Sequence, residues 1–245
     1  MILGTDISSH QGSVDFAKMK AAGASFVICR KQIGYYGDAR FFEYMEGAKD
    51  AELAFGAYGV PFPGYDMQRQ YAKFIEGIKP SDLDFPPEAD VEKRHKLTKS
   101  KAIGDVLGYM HRMKDWWGYC VPYTAKFVWE EMYSTAKGWI DDWDLHVANY
   151  TTYHQPYYIP IGWGYRKDGT LVPVQDSFVI WQYSADGNGR GREFGVSSDD
   201  IDLNWMKEEY YNMWTNGGTT PPVLHKAALD VPKEADTIEL TMRRV

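Results

Sequence analysis

Short apolar segments alternate with amphipathic segments along most of this chain, and that alternation limits the folds available to it. Apolar runs bounded by turn residues are typical of buried strands, and helical periodicity between them is typical of crossover connections in a parallel sheet. The pattern predicts strands over 2–6, 25–30, 54–60, 85–91, 118–123, 145–150, 178–183 and 200–203. It predicts helices over 14–22, 40–52, 65–78, 99–116 and 127–133.

Eight strands with helices after the first five favour an α/β barrel whose last part closes through strands and loops. The 245 residues, 44% of them hydrophobic, fit one large domain with a substantial core. We place the barrel at residues 1–214, followed by a linker, rich in Thr, Gly and Pro, at 215–222. The remaining tail, 223–245, is too short for a core of its own, so it either packs on the barrel or begins a further module.

Acidic residues occupy the predicted strand ends, where the active sites of parallel barrels gather. Asp6 ends the first strand, and Asp202 lies in the last. Asp90 and Glu92 end the fourth, and because side chains alternate faces along a strand, these two point the same way, about 7 Å apart. A protonated carboxyl beside an ionised one is what glycosidic bond hydrolysis requires. A single pair of this kind more often lies on a solvated surface. Four carboxylates at one mouth of a barrel are hard to explain by a structural role.

The overall composition narrows the range of partners. A formal charge of −7 argues against binding to duplex nucleic acid, whose phosphates need a basic surface. The 18 Tyr and 9 Trp suggest a surface that stacks on flat partners, such as sugars or nucleobases. No apolar stretch approaches the roughly 18 residues of a membrane span. The His and Cys residues lack the spacing of a zinc site, so neither a metal nor a cofactor is expected.

The cysteines and the N-terminus bear on the cellular compartment. Cys29 and Cys120 lie inside apolar runs, and we interpret both as small buried hydrophobic residues rather than as a disulfide or a catalytic thiol. The first residues enter a strand pattern at once and reach a charge at Asp6, so no signal peptide is expected. Synthesis in a cytosol and secretion with a leader already removed both stay open.

A series of short motifs resembles glycoside hydrolase family 25, the lysozymes (N-acetylmuramidases) of the Chalaropsis type, many of them phage endolysins. The resemblance covers roughly residues 2–214, and the motifs occur in the family's order. They are Gly4-Thr5-Asp6-Ile7-Ser8-Ser9-His10-Gln11-Gly12, Phe26-Val27-Ile28-Cys29-Arg30, Gly56-Ala57-Tyr58, Ala89-Asp90-Val91-Glu92, Val147-Ala148-Asn149-Tyr150, Trp181-Gln182-Tyr183 and Asp200-Ile201-Asp202-Leu203-Asn204.

The resemblance implies a TIM-like (β/α)5(β)3 barrel that cleaves the β-1,4 bond between N-acetylmuramic acid and N-acetylglucosamine in bacterial peptidoglycan. It makes Glu92 the general acid and Asp90 the second catalytic carboxylate, which either positions the substrate's own 2-acetamido group or guides a water. Asp6 and Asp202 match the family's other two acidic positions. The implied substrate-binding residues are Tyr58, Tyr123, Tyr150, Trp181, Gln182 and His10.

Alternative interpretations remain at the level of the residues and of the whole protein. His10 is equally well explained as a loop histidine packed beside Asp6, and Tyr58 as a core aromatic. A glycan-binding barrel without catalysis, or a hydrolase of another N-acetylated glycan such as chitin, would share this fold. The presence of all four carboxylates favours an enzyme over a glycan-binding barrel that has lost catalysis. We expect a monomer of phage type, made in the infected host and released to the wall at lysis.

Overall fold

The computed structural model describes residues 1–150, 163–173 and 178–218. Its strands are β1 (Ile2–Ile7), β2 (Phe26–Ile33), β3 (Tyr36–Gly37), β4 (Ala54–Val60), β5 (Glu88–Asp90), β6 (Val121–Ala125), β7 (Leu145–Ala148), β8 (Trp163–Tyr165), β9 (Leu171–Pro173), β10 (Phe178–Ser184) and β11 (Asp202–Met206). The α-helices are α1 (Phe16–Ala21), α2 (Phe41–Asp50), α3 (Met67–Ile75), α4 (Lys99–Trp117), α5 (Lys126–Val128), α6 (Trp139–Asp142) and α7 (Glu208–Thr215), and a π-helix (Trp129–Tyr133) continues α5.

Eight of these strands close into the expected barrel. Their order is β1-β11-β10-β7-β6-β5-β4-β2, and the ring closes where β1 pairs with β2. β3 extends the sheet beside β2, and β8 and β9 form a separate hairpin. The predicted eight-strand α/β barrel is confirmed, while β3, the hairpin and α7 were not predicted.

One strand runs against the others. β11 is antiparallel to both of its neighbours, β1 and β10, whereas the remaining contacts within the ring are parallel. Its first residue, Asp202, therefore lies at the same end of the barrel as the last residues of the parallel strands, and it pairs directly with Asp6. Asp202, at the start of the last strand, therefore lies at the same mouth of the barrel as the acidic residues at the ends of the parallel strands.

The inside of the barrel changes from apolar to polar along its axis. Near the bottom, Phe26, Ile28 and Met206 pack with Trp214 of α7, which closes that end. The Phe26 ring fills the lumen so completely that a Cβ at Gly4 would lie 2.4 Å from it, which excludes any side chain there. Inward-facing residues nearer the mouth are polar, and Asp6, Glu88, His146, Gln182 and Asn204 are all buried. The site is therefore the upper layer of the barrel interior.

The helices cover the outer face of the sheet and enlarge the main core. α4 illustrates why they form: the Thr98 side chain accepts a hydrogen bond from the Lys101 N–H at 3.3 Å, and the helix stops at Gly118, whose φ of 105° is left-handed. Its apolar face buries Val106, Tyr109 and other side chains against the strands. Cys29 and Cys120 are free and buried, as predicted.

Some predictions fall on residues that the structure does not describe. These are the second half of the linker, 219–222, and the whole tail 223–245. Thr215, which we placed at the start of the linker, is the last residue of α7. Within the described residues, no helix combines the length and apolar character needed to cross a bilayer.

Candidate active site

A cavity of about 160 Å³ opens at the carboxyl ends of the parallel strands. All four predicted catalytic carboxylates line it, together with four of the six predicted substrate-binding residues. The lining residues are Asp6, Tyr58, Glu88, Asp90, Glu92, Tyr123, His146, Tyr150, Gln182 and Asp202.

Two predicted contact residues do not line the cavity, and the burial of Trp181 contradicts its predicted role. Trp181 is 1% exposed and belongs to the core outside the barrel lumen, where its indole Nε1 donates to the Asn149 carbonyl oxygen at 2.9 Å. The cause is strand parity, because Trp181 neighbours the inward-facing Gln182 and so points to the other face. His10 lies exposed in a short 3-10 turn and does not line the cavity.

Asp90 and Glu92 form one wall of the cavity, which we call the β5 wall. β5 ends at Asp90, one residue before the end of the predicted strand 85–91, and Glu92 lies just beyond it. The backbone N–H of Glu92 donates to Asp90 Oδ1 at 3.3 Å. Glu92 Oε1 accepts a hydrogen bond from the Ala125 N–H at 2.7 Å, which fixes the carboxyl against β6.

Burial on the β5 wall favours the protonated form of both carboxyls by raising each pKa. Burial, and then the Glu92 carboxylate, raise the pKa of Asp90 to about 7. Burial also raises the pKa of Glu92, although the Ala125 N–H and Lys93 oppose that shift.

Asp6 and Asp202 form the opposite wall, which we call the β1–β11 wall. Asp6 Oδ2 accepts hydrogen bonds from Gln182 Nε2 at 2.7 Å and Asn204 Nδ2 at 2.9 Å. Burial, and then the neighbouring Asp6 carboxylate and its hydrogen bond, raise the pKa of Asp202. The direction of this shift favours a protonated Asp202, which can then donate a hydrogen bond to Asp6.

A buried hydrogen-bonded chain lies below this wall. His146 Nε2 is 3.0 Å from Asn204 Oδ1, and His146 Nδ1 is 2.8 Å from Glu88 Oε2. Since Asn204 uses its amide nitrogen to donate to Asp6, its oxygen must accept, so His146 Nε2 carries a proton. The proton at Nδ1 is then shared with Glu88. Burial alone would lower the pKa of His146, but the charge and hydrogen bond of Glu88, together with Asp6 and Asn204, outweigh it and the net direction is upward.

Gln182 links Asp6 to the aromatic side of the cavity. Its Oε1 accepts from the Tyr123 hydroxyl at 3.0 Å and from the Tyr150 hydroxyl at 2.8 Å. Tyr123 also packs edge-on against His146, with ring centroids 4.8 Å apart. Asp6 thus lies at the centre of one network that orients two tyrosines and a histidine around the cavity.

Glu88, His146 and Asn204 are functional candidates that sequence reasoning missed. A signal for Glu88 existed, because it precedes Asp90 by two residues and must share its face of β5. A histidine inside the apolar run of β7 was a weaker signal. Among the described residues, no cluster of His, Cys, Asp or Glu has the arrangement of a metal site.

The comparisons with known proteins agree with this geometry. The sequence model of the glycosyl hydrolases of family 25 matches residues 5–192. The autolytic lysozyme of Clostridium acetobutylicum is 25% identical over 190 residues, which cover 74% of this chain and 55% of that protein. Lysozyme M1 of Streptomyces globisporus is 24% identical over 229 residues, which cover 83% of this chain and 67% of that protein. The chain thus spans little more than half the length of the first of these relatives.

A solved structure supports the fold. The bacterial lysozyme from Streptomyces coelicolor superposes with a TM-score of 0.68 at 23% identity. The match covers 88% of this chain and 97% of that one. The barrel fold is therefore shared over nearly the whole length of that lysozyme structure.

Proposed function

Since this chain belongs to the glycosyl hydrolases of family 25, we propose that it hydrolyses bacterial peptidoglycan at the β-1,4 bond between N-acetylmuramic acid and N-acetylglucosamine. The observation that carries the proposal is the meeting of Asp90 and Glu92 with Asp6 and Asp202 in one cavity. The names of the two relatives, both lysozymes, support this choice of substrate.

Glu92 is the general acid of the proposed reaction. It delivers its proton to the glycosidic oxygen as the bond from that oxygen to the anomeric carbon breaks. Burial raises its pKa and so favours the protonated form that an acid needs, while the Ala125 N–H holds one carboxyl oxygen and leaves the other for the substrate. After the leaving sugar departs, Glu92 accepts a proton from the water that completes the hydrolysis.

Asp90 directs the substrate's own 2-acetamido group. When ionised, its carboxylate accepts a hydrogen bond from the acetamido N–H and turns the acetamido oxygen toward the anomeric carbon. Asp90 is adjacent to Glu92 on the β5 wall, so both carboxyls reach the same sugar. Asp6, with its proton-bearing partner Asp202, supplies fixed negative charge that stabilises the positive charge developing on the sugar ring.

The narrower identity of this protein is also a proposal. A Chalaropsis-type endolysin that acts during phage lysis fits the sequence motifs, and such a protein would be made in the infected host.

The decisive experiment compares wild type with Glu92→Gln in a turbidity assay on purified cell walls. We expect Glu92→Gln to lower the rate about 10²- to 10⁴-fold, since it removes the transferable proton but keeps the size of the side chain. Glu46→Gln, at an exposed position on α2, is the matched control and should lyse walls like wild type.

Analysis of the new reducing ends identifies the bond that is cut. Muramic acid at those ends is expected, whereas glucosamine ends or free peptide ends would contradict the proposal. Cleavage of chitin oligomers at a comparable rate would favour a broader hydrolase of N-acetylated glycans. Lysis that survives Glu92→Gln would remove this residue from the acid role.

A further inference from the structure

A strongly basic segment begins directly after Glu92. Lys93, Arg94, His95 and Lys96 form what we call the basic ridge. From 93 to 101, five of nine residues are Lys or Arg and none is acidic, in a chain whose net charge is −7. Composition alone therefore does not account for this local excess of positive charge.

The basic ridge borders the cavity. Three residues of extended chain span at most about 11 Å, so the Cα of His95 lies within that distance of the Cα of Glu92. The His95 ring packs on the loop after β4, with centroid distances of 4.7 Å to Phe62 and 6.1 Å to Tyr65. Lys93 is close enough to act electrostatically on both Asp90 and Glu92.

The two outer lysines of the ridge are available to a ligand. Lys93 and Lys96 are exposed, and neither forms an ion pair within the described residues. Arg94, in contrast, lies 3.3 Å from a carboxyl oxygen of Glu131. The basic ridge thus presents uncompensated cations at the rim of a cavity that is itself acidic.

The backbone of the basic ridge adopts a conformation that is unfavourable for the residues in it. His95 and Lys96 have φ values of 48° and 62°, a left-handed conformation that residues with a Cβ rarely adopt. A turn hydrogen bond from the Leu97 N–H to the Arg94 carbonyl oxygen, at 3.0 Å, closes this bend. Lys99 and Lys101 then occupy the first turn of α4, where the helix dipole favours acidic residues instead. Lys101 pairs with Asp105, and Lys99 donates to the Glu131 carbonyl oxygen, so within this segment Lys93 and Lys96 are the cations left for an anionic ligand among the described residues.

The chemistry of the substrate identifies the anion. Each muramic acid of peptidoglycan carries a lactyl group that bears the stem peptide, and stem peptides carry free carboxylates. The cavity holds five acidic side chains and repels such groups. We propose that the basic ridge binds the stem-peptide carboxylates of the muramic acid seated in the cavity, an inference that rests on the proposed function.

The test compares two soluble substrates that differ only in the peptide. One is peptidoglycan glycan chains with intact stem peptides, and the other is the same chains after an amidase has removed the peptides. For the double variant Lys93→Gln/Lys96→Gln, we expect the ratio of kcat/KM on intact chains to kcat/KM on stripped chains to fall about three- to tenfold, since exposed ion pairs are individually weak. The ratio cancels any influence of Lys93 on Asp90 and Glu92, because both substrates use the same carboxyls.

Two further measurements use a charge-matched control variant and a series of ionic strengths. Lys18→Gln/Lys49→Gln removes two exposed lysines from α1 and α2 and should leave the ratio unchanged. Raising the ionic strength should narrow the wild-type preference for intact chains, since exposed charges are screened. Lys96→Glu should lower the ratio further than Lys96→Gln.

The outcomes separate this inference from the proposed function. An unchanged ratio in the double variant, or an equal loss on both substrates, would overturn the role of the basic ridge while wild-type cleavage still supported the enzyme activity. A wild type that cleaves neither substrate would refute the proposed function itself.

Discussion

The two acidic walls of the cavity contain the same kind of side chain and are built in different ways. On the β5 wall, Asp90 and Glu92 are two residues apart, and backbone N–H groups donate hydrogen bonds to both carboxyls. On the β1–β11 wall, Asp6 and Asp202 come from opposite ends of the barrel sequence and share a hydrogen bond. Two buried side-chain amides hold Asp6, and a histidine and a glutamate lie behind them.

This difference indicates a division of labour. The β5 wall keeps carboxyl oxygens available for substrate and raises their pKa values by burial. The β1–β11 wall commits its carboxyls to protein partners and keeps one charge in a fixed position. Groups that react need free oxygen atoms, whereas groups that set the electrostatic field need rigid support. The predictions below test whether substitutions on the two walls separate in this way.

The largest effect is expected for Asp90→Asn on the β5 wall. Activity on cell walls should fall about 10²- to 10⁴-fold, because the amide cannot align the acetamido group as a carboxylate does. At alkaline pH, however, the Asp90→Asn variant should be more stable than wild type. The pKa of Asp90 is raised to about 7, so the native state binds more protons than the unfolded chain between about pH 4 and pH 7. Wild-type stability therefore falls as pH rises through that window.

Thermal unfolding of wild type and Asp90→Asn at two pH values measures the expected gain in stability. Relative to wild type, the variant should gain about 2–6 °C in Tm at pH 8 and little at pH 4, where both forms are uncharged. A variant that is less stable than wild type at pH 8 would mean that the charge of Asp90 is well satisfied in the native state.

The next effect concerns the support of the β1–β11 wall. His146→Leu leaves Glu88 buried without its partner and should lower the free energy of unfolding by about 3–5 kcal/mol. Glu88→Gln should cost only about 1 kcal/mol, because the new amide can donate to Nδ1 of a neutral His146, whose Nε2–H still reaches Asn204. Denaturant titration compares the two variants, and equal losses would contradict the deduced proton position on Nε2.

Asp202→Asn should have a smaller effect on catalysis than a change at its partner. An amide can replace the protonated carboxyl as donor to Asp6, so kcat/KM should fall less than about tenfold. Asp6→Ala removes the acceptor of two buried amides and should cost more in both activity and stability. If Asp202→Asn proved as damaging as Asp90→Asn, the two walls would not differ in function.

The smallest effects are expected at the tyrosines that Gln182 orients. Tyr123→Phe and Tyr150→Phe each remove one hydroxyl that donates to Gln182 Oε1. We expect KM to rise about two- to fivefold with little change in kcat, as one hydrogen bond is lost in each case. A change confined to kcat would place these hydroxyls in the chemical step instead of in substrate positioning.

The features that the sequence predicted well are those with a local cause. Apolar runs located all eight barrel strands because strands buried on both faces are continuous apolar segments, and periodic apolar residues located the helices between them. Asp90 and Glu92 share a wall for the same local reason. The prediction for Trp181 was wrong because the motif that contains it does not say which face each residue occupies, whereas the observed parity of β10 does.

The sequence by itself determined the α/β alternation, the acidic residues near strand ends and the β5 wall, since each depends on neighbours in the chain. Only the tertiary structure decided that β11 runs antiparallel and brings Asp202 against Asp6. Only closure of the barrel turns Glu88, His146 and Asn204 inward and joins them in one hydrogen-bonded chain. The physical reason is that these contacts join residues far apart in sequence, and they exist only once eight strands share one lumen.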